Sequence, residues 1–291
     1  MKPIRAIAVL PTLFTLGNLV CGFFAIVVLS RIDKPLTVEL DPAPRIELRL
    51  ESAKELIGSE DPTHNLMLCG ALILLAMLFD AIDGQVARIT RGVTDFGGQL
   101  DSLCDLVSFG LAPAILLVKM CPQFTNLHSE AIWSIAALFA CCAALRLARF
   151  NVESDSDDDH TSFAGLPTPA AAAAIASFAI LSYSLRNEVA VVTHENFDLY
   201  DRWMQRLLPL FAIVISVLMV SRIPYPHPLT QFVRGHRSFA QLVAIVFALM
   251  AILIVRNYAI PLLCVLFVVV PPVRFAWDHL WHRRTRQEPL F

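Results

Sequence analysis

Four carboxylates stand out in a chain that otherwise avoids charge. Asp80, Asp83, Asp101 and Asp105 border two strongly apolar runs in the stretch FDAIDGQVARITRGVTDFGGQLDSLCD, residues 79–105. Asp80, Asp83, Gly84 and Ala87 are spaced i, i+3, i+4, i+7, one face of a helix. Gly97, Asp101 and Asp105 repeat at i, i+4, i+8 and give a second helix the same kind of face. The short turn between them, TRGVTDF, makes the two helices antiparallel neighbours whose acidic faces can meet. Ionised acids close together at a membrane repel one another and lose hydration. Divalent cations relieve both costs, and an all-carboxylate donor set suits Mg²⁺, Mn²⁺ or Ca²⁺. Gly84, Ala87 and Gly97 keep the adjoining face bare enough for a bulky ligand, and Arg88 closes it with a group suited to phosphate. Small residues alone would indicate only close helix packing; beside four acids in register they point to a site.

The elements that must carry these residues are membrane helices. Of the 291 residues 56% are hydrophobic and 16% charged, and the mean hydropathy is +0.62. That is the composition of a polytopic membrane protein, and a net charge of −2 gives no basic field for nucleic acid. The fold expected is an all-α transmembrane bundle of about eight spans: 6–30, 66–88, 97–120, 131–150, 166–186, 204–222, 238–256 and 258–277. The first apolar run follows Lys2 and Arg5 like a signal peptide. It has spanning length and no A-x-A cleavage pattern, so it reads as a retained helix. The seven cysteines lie scattered through apolar runs without metal-ligand spacing and read as small core residues.

Residues 1–237 are taken as one membrane domain with a polar insertion at 31–65. Residues 238–277 form an additional hairpin and 278–291 a tail. Eight spans place both termini on one side. With that side cytoplasmic, Asp80, Asp83, Asp101, Arg146, Arg149 and Arg222 all fall at cytoplasmic span ends. Arg146 and Arg149 close one helix and Arg222 another; they suit a carboxylate or phosphate, or else anchor the helix ends. Thr15 and Asn18 share a face of the first span. They bind a nucleotide or support the site from behind, or simply tie two helices together.

The run Asp80-x2-Asp83-Gly84-x2-Ala87-Arg88-x8-Gly97-x3-Asp101-x3-Asp105 resembles, position for position, the signature of the CDP-alcohol phosphotransferase family. LPTLFTLGNLVCGFFAI (10–26), ALRLARFNV (144–152), FAGLPTPAAAA (163–173) and LMVSRIPYP (218–226) are similar to its bacterial integral-membrane phosphatidylserine synthases. Pro11-Thr12 departs from the Pro-Asn usual there. The resemblance implies a homodimeric enzyme of the inner membrane with its site facing the cytoplasm. Two divalent cations, Mg²⁺ or Mn²⁺ with Ca²⁺ possible, would be held by Asp80, Asp83, Asp101 and Asp105. The hydroxyl of L-serine would attack CDP-diacylglycerol and CMP would leave. Asp105 is implied as the base, with a ligand role open to it as well. Thr15, Asn18, Gly84, Ala87, Arg88 and Gly97 would line the CDP-lipid, and Arg146, Arg149 and Arg222 the acceptor or phosphate. Rival expectations are the same chemistry on glycerol 3-phosphate or an inositol phosphate, and a divalent-cation transporter built from the same acids.

Overall fold

The computed structural model describes residues 9–32, 62–90, 94–122, 129–154, 163–187, 194–225 and 258–285. The span expected at 238–256, most of the 31–65 insertion and the end of the tail lie outside the described residues. Seven of the described helices are long and apolar enough to cross a membrane, and the chain is a multi-pass membrane protein. α1 is Val9–Ser30, α2 Pro62–Thr90 and α3 Asp95–Asp105. α3 runs through a π-helical turn, Leu106–Leu111, into α4, Ala112–Met120, so that the three form a single span. α5 is Ser129–Ser154, α6 Thr168–Asn187, α7 His194–Val220 and α8 Ala259–Thr285. Several helices outrun their apolar cores: α7 begins at His194 rather than near residue 204, because polar turns outside the apolar layer keep satisfying their own backbone.

Consecutive spans alternate in direction. The start of α1, the end of α2, the start of α3, the end of α5, the start of α6 and the end of α7 therefore share one end of the bundle. The opposite end is tied by Lys119 Nζ, which donates to the Ile32 carbonyl at 2.6 Å. α6 and the span containing the π turn form the interior. Ala171, Ala172, Ala174 and Ala176 of α6 are fully buried, and Gly70 of α2 abuts the backbone of Ala176. Small residues are what let backbones approach this closely in lipid. Leu13, Phe23, Leu75, Leu138, Leu207 and Leu262 point outward, as lipid-facing side chains do. Five of the seven cysteines are buried and Cys141 is exposed.

The π turn has a local cause. Pro113 has no N–H for the Phe109 carbonyl, and its ring would strike that carbonyl in a regular helix. The wider turn, in which the Ala112 N–H reaches back to Val107, takes up the misfit directly after Asp105.

A small clasp closes the site end. β1, Phe163–Ala164, pairs antiparallel with β2, Pro224–Tyr225, in the register Phe163↔Tyr225 and Ala164↔Pro224. The Gly165 N–H donates to the Ile223 carbonyl at 2.9 Å and the Leu166 N–H to the Leu218 carbonyl at 3.0 Å. Gly165 has φ +89°, and a Cβ there would lie 2.5 Å from the Met219 carbonyl oxygen, so only glycine fits. The Tyr225 hydroxyl donates to the Val268 carbonyl of α8 at 3.0 Å. Pro272 lies four residues after Val268 and cannot donate to that carbonyl, so tyrosine supplies the missing donor.

Candidate active site

The acids of α2 and α3 converge as their spacing requires. Asp80, Asp101 and Asp105 each offer a carboxylate oxygen, and these oxygens lie within 4.8 Å of one another. Asp83 sits one turn along α2 with the Thr15 side chain beside it, within electrostatic reach of Asp80 and Asp101. Asp83 and Asp105 are buried and Asp80 and Asp101 partly so. Asp83 Oδ2 and Asp101 Oδ1 have no hydrogen-bond donor among the described residues. Asp101 thus brings a donor-less oxygen to the group it forms with Asp80 and Asp105, and that all-carboxylate set fits divalent-cation ligation; Asp83 is not among the three that meet.

Thr94 starts α3 as a side-chain cap. Its Oγ1 accepts from the Gly97 N–H at 3.1 Å and completes the helix end that aims Asp101 and Asp105. Gly97, read from the sequence as part of the bare face, is thereby also a packing position: a Cβ would come to 3.0 Å of the capping oxygen. Gly84 and Gly98 are the open ones, where a Cβ would meet no atom within 4 Å. Ala87 and Arg88 continue the last turns of α2, and their side chains lie outside the described residues.

α1 closes the back of the acid group. Asn18 is fully buried, and its Nδ2 donates to Asp105 Oδ1 at 2.9 Å. Thr15 is buried and donates to its own helix at the Pro11 carbonyl, 3.1 Å away. Both side chains thus face the acids. Gly22 lies one turn beyond Asn18, where a Cβ would lie 2.7 Å from Ser108 Cα in the π turn. The Ser108 hydroxyl donates to the Asn18 carbonyl at 2.9 Å. Backbone-level contact at Gly22 and a hydrogen bond at Asn18 fix α1 against the helix that carries Asp105.

The three arginines have different surroundings. Arg146 stands over the acids, within electrostatic reach of Asp105 and Asp80, and its Nη1 donates to Thr168 Oγ1 at 2.7 Å. Arg146 Nε is buried without a partner among the described residues. Arg149 Nη1 donates to the Val220 carbonyl at 3.1 Å, a cation on the carbonyl end of α7. Arg222 is exposed just past that end. Sequence reasoning did not single out Thr168, Ser108, or the pair Ser102 and Asn151, whose side chains meet at 3.0 Å across α3 and α5. These interhelical partners carry no local signal in the sequence.

Residues 8–218 match the family model for CDP-alcohol phosphatidyltransferase. The chain belongs to that family. Its curated relatives include the CDP-diacylglycerol–serine O-phosphatidyltransferase of Methanocaldococcus jannaschii, 38% identical over 158 residues, covering 54% of this chain and 62% of the relative. The enzyme of the same name from Helicobacter pylori is 31% identical over 157 residues, 54% of this chain and 59% of the relative. The archaetidylserine synthase of Methanothermobacter thermautotrophicus is 36% identical over 157 residues, 53% and 56%. The chain spans about six-tenths of the length of these relatives. The family match ends at Leu218, so β2 and α8 lie beyond it.

Proposed function

We propose that the chain transfers the phosphatidyl group of CDP-diacylglycerol to L-serine, yielding phosphatidylserine and CMP. The observation that carries this reading is the meeting of Asp80, Asp101 and Asp105 at one end of the bundle, oxygens within 4.8 Å. Divalent cations held by these acids and Asp83, two per site and Mg²⁺ or Mn²⁺ by preference, would neutralise the diphosphate and the departing CMP. The chain's own residues do the rest. The open surface at Gly84 receives the nucleotide end of the lipid, and Ala87, Arg88 and Gly97 join it on the reading of the sequence motif. Asp105 takes the proton from the serine hydroxyl. The serine oxygen bonds to the phosphorus that carries diacylglycerol, and the bond from that phosphorus to the CMP oxygen breaks in line. Arg146 lies within electrostatic reach of Asp105 and Asp80, and it offers a guanidinium edge to the serine carboxylate or to a phosphate oxygen.

The named relatives support serine as the acceptor. The acids lie towards one end of their spans rather than midway along them, which favours a membrane-surface enzyme over a cation transporter. On this reading the chain works in the inner membrane as a homodimer with the site facing the cytoplasm.

Competition among acceptors tests the assignment. Purified protein with CDP-diacylglycerol and Mn²⁺ is offered serine, glycerol 3-phosphate and an inositol phosphate in turn, and CMP release is followed. Serine alone should drive release. Faster release with a phosphorylated acceptor would replace serine, and metal flux across vesicles without consumption of the CDP-lipid would favour transport.

A further inference from the structure

Among the described neutral side chains, Asn18 is the one seen to donate to Asp105, and it does so from complete burial. A carboxylate turns easily about its terminal bond. Packed among other acids, it is pushed towards whichever rotation best separates the charges. A donor on one oxygen removes that freedom. Asn18 is well suited to the task because it is neutral: a carboxylate in its place would repel Asp105, and a lysine would cancel the charge the site uses. Its own Oδ1 is buried and accepts no hydrogen bond among the described residues, so the orientation of the amide is set by the donation to Asp105. The backbone of Asn18 is fixed independently by the Ser108 hydroxyl, and Gly22 brings α1 against Ser108 one turn further on. Ser108 and Asp105 flank the start of the same π turn. The amide and the carboxylate are therefore registered by two contacts a helical turn apart.

We infer that Asn18 is a positioning residue for Asp105: it holds Oδ1 and leaves Oδ2 as the oxygen turned to the reacting hydroxyl. This deepens the proposed transfer reaction and rests on it. It also gives Asn18 a task other than contact with the CDP-lipid.

The test is a split between kcat and KM in the purified full-length chain with Mn²⁺, CDP-diacylglycerol and serine, run alongside thermal unfolding and calorimetric affinity for CDP-diacylglycerol. Asn18→Ala should lower kcat about 10–100-fold, the usual range for groups that orient a metal-site side chain. Both KM values and the lipid affinity should stay near wild type. Asn18→Asp, similar in size but repelling Asp105, should lower kcat further. In an Asp105→Asn background Asn18→Ala should cost almost nothing more, because the group it positions is already disabled. Where Asn18→Ala does not fold, Asn18→Ser, which keeps a donor of shorter reach, should show the same split. A raised KM or weakened lipid affinity at unchanged kcat would overturn the inference and make Asn18 a ligand of the CDP-lipid. An additive loss in the Asp105→Asn background would overturn it as well. Absence of transfer by the wild-type chain would overturn the reaction and this inference together, whereas wild-type transfer with the wrong split overturns the inference alone.

Discussion

The acidic face and the β1–β2 clasp hold the same end of the bundle, yet they are built from opposite kinds of sequence. The face comes from two helices adjacent in the chain, and its residues repeat at the helical period. The clasp joins Phe163–Leu166 to Leu218–Tyr225, far apart in sequence, mostly through backbone bonds. In the first region side-chain identity is the whole content: Asn in place of Asp80, Asp101 or Asp105 loses an oxygen and the charge, and Glu displaces both oxygens by a methylene. In the second, side chains matter where they permit a backbone path, as at Gly165, or mend one, as Tyr225 does at the Val268 carbonyl. Chemistry is concentrated in the first region and geometry in the second. Changes to the face should therefore alter turnover in a stable protein, and changes to the clasp should alter stability.

Asp105→Asn should have the largest effect. Turnover should fall by about 10²–10⁴-fold, the range for loss of a general base. CDP-diacylglycerol affinity should be largely kept, and equal loss of binding and turnover would remove the base role. Gly84→Leu is the sharper probe of the face. The space at Gly84 is open, so the thermal midpoint should hold while KM for CDP-diacylglycerol rises; a drop in stability instead would show that helix packing fills that space.

The clasp should respond in stability instead. Gly165→Ala combines a left-handed backbone with a methyl pressed on the Met219 carbonyl and should cost about 3 kcal/mol, read by denaturation in detergent. The smallest effect is expected of Tyr225→Phe, about 1 kcal/mol for the Val268 carbonyl left without its donor. Its kcat should match wild type. A large fall in kcat in a stable Tyr225→Phe protein would break the division between the two regions and tie α8 to the chemistry.

The same contrast explains what was legible in the sequence. Seven of the eight expected spans follow from apolar length and are seen among the described residues, the eighth lying outside them, and the spacing of three to four residues brings Asp80, Asp101 and Asp105 together. Arg146 and Arg149 could not be separated by spacing. They differ by three residues, which leaves them on neighbouring but distinct lines of α5, and the carbonyl end of α7 engages only the second. Asn18 meets a carboxylate 87 positions away, a distance at which no local pattern speaks. The sequence does not pair Gly22 with Ser108; the close approach of α1 to the π turn gives them their shared purpose. Pro272 likewise reads as a helix fault until Tyr225 supplies its missing hydrogen bond.

The most direct test of the whole account is incorporation of labelled serine by purified protein given CDP-diacylglycerol, first after chelation and then after return of Mn²⁺ or Mg²⁺. The expected result is one CMP released for each labelled phosphatidylserine formed, no product under chelation, and recovery on adding metal back to the wild type but not to Asp105→Asn. Serine incorporation that survives chelation, or restored activity in Asp105→Asn, would contradict a site built on those converging acids.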